Sequence, residues 1–405
     1  MRRLLLGSGL LFATLLILLP FAQDGSGQDF GRRGDRRRGG RAELPAPTPD
    51  SALALPTASP APAHNPTTPA KVALGRLLFW DPILSGPRDV ACGTCHHPDL
   101  GYSDARDLSI GVNGRGLAAR RRFVEPNSIP FVKRNSQTIL NVAFVGLSDQ
   151  DSHGPADAPM FWDTRRRSLE AQALEPIKAL EEMRGHTYAE DQAVPTVVAR
   201  LNESAEYRTL FDQAFGSPGI TADTLAMALA AFQRSLTANN APFDRYMRGD
   251  QSAMTASQLR GFRRFERVGC INCHRGPMFS DFKLHVLGVP DSPRLPATDP
   301  GAGDYGFRTA PLRNLRFTAP YMHSGIFASL SDVLNFYDDV TDRDGDDRNL
   351  HVSREQLDPL LRRLRGVDDD DQDLLGFLDA LSDDSFDRTI PARVPSGLRP
   401  GGSIQ

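Results

Sequence analysis

Two short motifs of the form C-x-x-C-H constrain this chain more than any other feature. They contain all four cysteines of the 405-residue sequence: Cys92, Cys95 and His96 in the first copy, and Cys270, Cys273 and His274 in the second. Two thiols at this spacing can bond to the two vinyl groups of one haem, while the adjacent histidine binds its iron. Zinc is the alternative, but it needs four ligands, so both motifs would have to be pooled. We therefore interpret the repeat as two covalent c-type haems with His96 and His274 as proximal ligands.

The first 64 residues have the composition of a leader followed by a linker. Residues 1–22 begin with two arginines and continue into an apolar stretch, which is the layout of a signal peptide; an uncleaved N-terminal anchor is the alternative. Residues 23–64 are rich in Gly, Arg and Pro, which predicts a disordered tether. We expect export to the periplasm, with membrane contact only through the N-terminal segment. The net charge of −3 gives no reason to expect nucleic-acid binding.

The remaining sequence predicts a mainly α protein with few short strands. Apolar residues recur at helical spacing, as in the stripe formed by Leu225, Leu229, Phe232 and Leu236. Because the haem motif occurs twice, we expect two c-type cytochrome-like haem lobes packed together. The predicted lobes are residues 65–220, which would carry the peroxide site, and 221–395, which would carry an electron-transfer haem, followed by a tail at 396–405.

The ligand on the far side of each iron decides its chemistry, because an open position admits peroxide whereas a thioether favours electron transfer. Residue types alone leave this ligand open. The candidates are Met160, Met183, Met278, Met322, His186, His285, His323 and Tyr337.

Several ordered blocks, including "LGRLLFWDPILSG", "CGTCHHPDLGYSD", "FWDTRRRSLEAQALEPI", "GCINCHRGP" and "PLRNLRFTAPYMHSGIF", resemble the bacterial di-haem cytochrome c peroxidase superfamily. The resemblance implies a tryptophan between the haems at Trp162, a pocket glutamine at Gln172 and a catalytic acid at Glu182. It also implies a calcium ion bound by Asn135 and by the backbone carbonyls of Thr318 and Pro320; oxygen ligands suit that cation.

Two departures from the peroxidase pattern point to the MauG-like branch of that superfamily. Many family peroxidases have a histidine after the "SIG" triplet that caps the first haem, whereas this chain has Val112 there. We therefore expect the first haem to be open even when fully oxidised. Where peroxidases have a methionine ligand, this chain has Tyr337, so we expect a tyrosine on the second haem. The alternative is that Tyr337 only packs, and Met322 or another residue binds the iron.

The function implied is that of an exported di-haem oxidoreductase. It would react with hydrogen peroxide at the open N-terminal haem to form high-valent iron and oxidise a partner protein or an electron donor. One alternative is a cytochrome c peroxidase that detoxifies peroxide with electrons from a small redox protein. Another is a non-enzymatic di-haem electron carrier. His323 and Arg313 are candidate partners for haem propionates, and the "DRDGDD" stretch at 342–347 resembles a calcium loop only superficially.

Overall fold

The computed structural model describes residues 46–216, 219–341 and 349–405. Three predicted features lie outside these ranges: the signal peptide or anchor at 1–22, the first part of the tether at 23–45, and the "DRDGDD" stretch at 342–347. Within the described ranges, every helix is too short or too polar to cross a membrane.

Helices dominate the described residues, as predicted. They are α1 (Pro69–Trp80), α2 (Cys92–Cys95), α3 (Leu169–Ala173), α4 (Glu175–Lys178), α5 (Glu190–Glu203), α6 (Ala205–Phe215), α7 (Ala222–Ser235), α8 (Pro242–Met247), α9 (Ala256–Val268), α10 (Leu330–Thr341) and α11 (Gln372–Asp379). A π-helical turn occupies Leu180–Arg184. The strands form three antiparallel pairs: β1 (Gly114–Arg115) with β2 (Arg122–Phe123), β3 (Pro159–Met160) with β4 (Arg166–Arg167), and β5 (Leu284–His285) with β6 (Phe307–Arg308). The mainly α fold class with few short strands is confirmed.

The first hydrophobic core contains the first cysteine motif and is built on the packing of α1 against α7. Gly75 allows the close approach of these helices, because a β-carbon there would lie 2.0 Å from the carbonyl oxygen of Ala228. The apolar stripe predicted in the sequence is buried in this core: Leu225, Leu229, Phe232 and Leu236. Helix α7 thus uses its apolar face to cover α1, and this contact crosses the predicted lobe boundary at residue 220.

The carboxyl terminus completes the same core. Phe386 and Val394 are buried in it, and Ile404 packs against it. The amide of Gly401 donates a hydrogen bond to the carbonyl of Trp80 at 2.8 Å. The chain thus returns to the first core after α11, across the predicted end of the second lobe at 395 and into the predicted tail at 396–405.

The second main core contains the second cysteine motif and packs α9 against α11. A β-carbon at Gly261 of α9 would lie 1.8 Å from the carbonyl oxygen of Asp373, so these helices are also in close contact. Phenylalanines fill the centre of the core: Phe243, Phe262, Phe265, Phe279 and Phe377. Helix α10 packs at the edge, where Phe336 and Val340 are buried.

The part of the predicted tether that the structure describes, residues 46–64, is ordered against the second core. The amide of Leu55 donates to Asp244 Oδ1 at 2.9 Å, and the hydroxyl of Tyr246 donates to the carbonyl of Pro47 at 2.6 Å. Ala54 and Leu55 are buried. The buried side chains of Ala54 and Leu55 and these hydrogen bonds fix a proline-rich segment whose composition predicts disorder.

Candidate functional site

The two cysteine motifs adopt matching local structures. Helix α2 begins at the first cysteine of its motif, and the 3₁₀ turn at Cys270–Asn272 does the same in the second motif. The backbone amide of His96 donates to the carbonyl of Cys92 at 3.0 Å, and that of His274 donates to the carbonyl of Cys270 at 2.9 Å. All four cysteines are free of disulfides. Burial raises the pKa of the thiols of Cys92, Cys95 and Cys270 to about 12, so they are neutral.

Both histidines are prepared to bind a metal through the same nitrogen. His96 Nδ1 lies 3.1 Å from the carbonyl oxygen of Tyr102, and His274 Nδ1 lies 3.0 Å from that of Phe279. A carbonyl only accepts hydrogen bonds, so each Nδ1 carries the proton and Nε2 keeps its lone pair. Burial lowers the pKa of both rings, which keeps them neutral. This is the ligand state that haem iron requires.

One continuous cavity of about 650 Å³ runs past both motifs and is lined by Cys92, Cys95, His96, Cys270, Cys273 and His274. The four sulfur atoms do not converge on one point. Among the described residues, the only three candidate metal ligands with atoms within 4.8 Å of one another are Cys273, Asp281 and His285. A pooled four-thiolate zinc site is therefore absent from these residues, and the geometry fits two separate haems.

Arg308 supplies a further sign that the cavity holds an anionic group. Its side chain is buried and lines the cavity, with Nε donating to the carbonyl of Phe161 at 3.0 Å while Nη1 has no hydrogen-bond partner. Burial lowers its pKa to about 10, and no carboxylate offsets this effect. A buried cation with an unpaired N–H is costly unless a ligand pairs with it. A haem propionate has the charge and the acceptor oxygens to do so.

Glu182 lies on the π-helical turn and lines the same cavity. Burial, and secondarily the neighbouring carboxylate of Glu181, raises its pKa to about 7, against the opposing charge of Arg165. A carboxyl group with this pKa can both hold and release a proton near neutral pH. The loop of the "SIG" triplet fixes the turn, since the amide of Val112 donates to the carbonyl of Glu182 at 3.1 Å.

Gln172 and Trp162 line the cavity too. Gln172 lies on α3, which Ser168 caps by accepting a hydrogen bond from the amide of Ala171. Trp162 is held at both ends: its Nε1 donates to the carbonyl of Asn135 at 3.1 Å, and its own carbonyl accepts from the amide of Arg308 at 2.7 Å. Glu182, Gln172 and Trp162 therefore face one space with the first motif.

Tyr337 projects from α10 into the part of the cavity beside the second motif. Burial raises the pKa of its hydroxyl, and the thiols of Cys273 and Cys270 add to the rise. Among the described residues, no group exchanges a hydrogen bond with this hydroxyl. Its oxygen is thus available to a ligand in the cavity. Met322 lines the cavity as well.

The structure removes two of the other candidate iron ligands. His186 is exposed, hydrogen bonds to Ser128 at 3.2 Å and does not line the cavity. His285 has both nitrogens engaged, with Asp358 at 2.6 Å and Asp281 at 3.0 Å. Although burial alone lowers its pKa, hydrogen bonds with the carboxylates of Asp281 and Asp358 raise it, so both ring nitrogens are engaged and neither offers a lone pair to iron. The remaining candidates line the cavity: Met160, Met183, Met278, Met322, His323 and Tyr337.

Arg313 differs from the expectation that it pairs with a propionate. Its Nη1 donates to Asp244 at 3.0 Å and its Nε donates to the carbonyl of Pro277 at 2.8 Å, so protein acceptors occupy the guanidinium. His323 is buried and stacks on Phe307, with ring centroids 3.6 Å apart. Sequence reasoning missed Arg308, whose only signal is a lone arginine in "GFRTAP".

The three residues expected to hold calcium also line the cavity: Asn135, Thr318 and Pro320. The amide of Asn135 donates to the carbonyl of His323 at 2.8 Å, and its Nδ2 donates to the carbonyl of Arg106 at 2.8 Å. Neither hydrogen bond uses the side-chain oxygen of Asn135, so this oxygen is available to bind a cation.

Comparisons with known proteins agree with this site. Residues 69–252 match a family profile described as di-haem cytochrome c peroxidase. The chain is 32% identical over 353 residues to the methylamine utilization protein MauG of Methylophilus methylotrophus, covering 84% of this chain and 90% of that protein. It is 34% identical over 361 residues to the cytochrome-c peroxidase IdrP1 of Pseudomonas sp. (strain SCT), covering 80% and 83% of the two chains.

Among solved structures, a MauG-like protein associated with microbial copper homeostasis has the same fold, with a TM-score of 0.65 and 27% identity over 82% of this chain and 95% of that one. The sequence relatives exceed 30% identity and extend over most of both chains. The chain therefore belongs to the di-haem cytochrome c peroxidase family and is a di-haem oxidoreductase.

Proposed function

We propose that this enzyme reacts with hydrogen peroxide at the haem site of the first motif and passes the oxidising power to a partner protein or a small electron donor, as the MauG-like branch does. Glu182 carries the proposal: it is a cavity-lining carboxyl group whose pKa, raised by burial, is about 7. An electron carrier has no use for such a group, whereas peroxide cleavage needs a proton carrier at the reacting oxygens.

Each residue at the first haem site has a separate role in the proposed reaction with hydrogen peroxide. Haem iron, when bound by His96, supplies the electrons that break the O–O bond. The carboxylate of Glu182 accepts the proton of the inner peroxide oxygen and delivers it to the outer oxygen, which leaves as water. The Gln172 amide orients peroxide by hydrogen bonding. Val112 cannot bind iron, which supports an open position in the oxidised enzyme.

For the second haem, we propose that Tyr337 is the ligand opposite His274. Its free hydroxyl beside Cys270 and Cys273 supports this assignment. A phenolate is a hard anionic ligand and lowers the reduction potential of iron relative to methionine. Trp162, fixed at both ends, would lie on the electron path between the two haem sites.

The same proposal includes a calcium ion held by Asn135, Thr318 and Pro320. It also includes export to the periplasm, and an exported protein or a redox protein as the partner. A second candidate is peroxide detoxification with electrons from a small redox protein. A relative named cytochrome-c peroxidase favours it, since it is 34% identical to the chain, between the 32% and 39% of two relatives named MauG.

The deciding experiment adds one equivalent of hydrogen peroxide to the fully oxidised enzyme without a reductant and follows optical and EPR spectra. We expect the high-spin ferric signal to disappear rapidly, and the spectrum of the second haem to change with it. Reaction only after one-electron reduction would instead identify a gated peroxidase. A protein that is inert in both states would be an electron carrier, contrary to the proposal.

A further inference from the structure

A second, smaller cavity adjoins Glu182 and is lined by none of the residues of the first motif. It has a volume of about 300 Å³ and lies between α4 and the π-helical turn, with Lys178 and Ala179 on one side and Glu181 and Arg184 on the other. We call this space the vestibule. Glu190, at its outer edge, is exposed, so the vestibule opens towards solvent.

The vestibule and the haem cavity share a wall. Arg165, Glu181 and Glu182 line both spaces. Glu182 therefore borders both the cavity that would hold haem and the vestibule. A molecule that moves from the vestibule to the haem site passes the carboxyl group that the proposed reaction uses.

The lining of the vestibule suits a small, hydrated solute. Seven of its nine lining residues are ionisable, so an apolar molecule would gain nothing by entering, whereas a hydrogen-bonding molecule would keep its partners. Most of the charges are fixed by protein contacts: Arg165 pairs with Asp163 at 2.9 Å, and Arg184 Nε donates to the carbonyl of Lys178 at 2.8 Å. Such a lining favours a polar, hydrogen-bonding molecule over an apolar one.

Glu181 supplies a hydrogen-bond acceptor in the vestibule. Lys178 forms an ion pair with Glu175, but among the described residues no basic side chain lies within ion-pair distance of the Glu181 carboxylate. This carboxylate adjoins Glu182 in sequence and lies on the shared wall. It can accept a hydrogen bond from a molecule that is about to enter the haem cavity.

We propose that the vestibule is the entrance through which hydrogen peroxide reaches the first haem, with Glu181 as its docking acceptor and Glu182 at the inner opening. This inference rests on the proposed function, because it assigns the route by which that substrate arrives.

The test blocks the vestibule after the protein has folded. In the holoprotein the four native cysteines are consumed by haem attachment, so Ala179→Cys introduces a single reactive thiol in the vestibule. The variant is compared before and after labelling with pyrenyl maleimide. The matched control is Ala205→Cys with the same label; Ala205 is exposed at the start of α6 and lines neither cavity.

The first readout is the binding of cyanide to the ferric protein, followed optically, which reports passage without catalysis. With the vestibule as the entrance, the label on residue 179 slows cyanide association and dissociation together, each by at least about tenfold, and leaves Kd unchanged because Kd is their ratio. The rate constant for hydrogen peroxide falls in parallel. The label on residue 205 changes none of these values.

Unchanged cyanide rate constants with the label on residue 179 would overturn the proposal. A label that changes only the dissociation rate of cyanide, and with it Kd, would also overturn it, since that effect arises at the iron. If the label on residue 179 slows cyanide entry but the unlabelled protein does not react with hydrogen peroxide, the proposed function is refuted while the route to the first haem stands. If neither ligand reacts with the unlabelled protein, the first haem is closed and both proposals fail.

Discussion

The chemistry of the first haem site depends on one proton carrier, Glu182. Glu182→Gln keeps the size and hydrogen-bonding capacity of the side chain but removes its ability to take up and release a proton. We expect the rate constant for reaction with hydrogen peroxide to fall by at least about 100-fold, the usual contribution of a positioned acid or base. Stopped-flow spectroscopy measures this rate, and an unchanged ferric spectrum shows that the haem pocket is intact. A variant as fast as the native enzyme would make Glu182 a structural acid.

The pH dependence of the same rate has a defined sign. Burial raises the pKa of Glu182 to about 7, and the carboxylate form is needed to accept the peroxide proton. The rate constant should therefore rise with pH up to an inflection near pH 7 and fall about tenfold per pH unit below it. Measured against pH, Glu182→Gln should lack the inflection. An inflection that persists in the variant belongs to another group.

Tyr337 sets the properties of the second haem site if its oxygen binds iron. Tyr337→Phe removes that oxygen with little change in volume, so we expect the reduction potential of the second haem to rise and its low-spin EPR signal to change, because an anionic ligand is lost. Tyr321→Phe is the matched control: Tyr321 also lines the cavity, but its hydroxyl donates to the carbonyl of Leu315 at 3.0 Å. Equal potentials in both variants would show that Tyr337 only packs.

At the residue scale, local spacing was enough to identify both haem attachment sites, because a cysteine motif carries its chemistry within five positions. The resemblance to a known family supplied the candidates Trp162, Gln172 and Glu182. Neither could find Arg308 or the ion pair of His285 with Asp358, because these depend on groups far apart in sequence meeting in a cavity. The unpaired N–H of Arg308 is visible only once its surroundings are known.

At the scale of elements, the carboxyl-terminal segment holds the first attachment helix in place. Thr94 in α2 donates to the carbonyl of Gly401 at 3.0 Å, and the amide of Ser403 donates to the carbonyl of Asp89 at 2.8 Å. Removing residues 399–405 should lower the free energy of unfolding by about 3 kcal/mol, since several hydrogen bonds of about 1 kcal/mol each are lost.

Denaturant unfolding followed by haem absorption and circular dichroism measures this loss. The control removes only the exposed Gln405, which should leave the transition in place. Loss of stability in both truncations, or in neither, would contradict the role given to this segment. The predicted tail at 396–405 contains few apolar side chains, and backbone contacts of its glycines, which have no signature in an apolar pattern, attach it to the core.

Helical periodicity predicted the buried face of α7 correctly but not its partner. A repeat of apolar residues shows that a face is covered, and it contains no information on which element covers it. Gly75 in α1 is the residue that makes the contact possible, and its role appears only when the distance to Ala228 is known.

At the scale of the whole molecule, two cores share one continuous cavity, and Trp162 lies within it. Trp162→Phe removes the indole with its Nε1 hydrogen bond and its readily oxidised ring. We expect the first haem still to react with peroxide, while the accompanying spectral change at the second haem slows or disappears. Rapid-freeze EPR distinguishes the two haems. The other tryptophan, Trp80, does not line the cavity, so Trp80→Phe should leave the coupled response unchanged. Coupling that survives in Trp162→Phe would assign electron transfer to another path.

The return of the chain to its first core also has a consequence for the order of folding. The residues that close this core, from Phe386 to Ile404, are synthesised after the rest of it, whereas α1 and α2 are among the first of the described helices. Contacts between such distant segments form late, because a long loop has to close before they add stability. During synthesis, the second core can be complete while the first still lacks the residues from Phe386 to Ile404. We therefore expect stable packing around the second motif to precede stable packing around the first, in the reverse of their order along the chain.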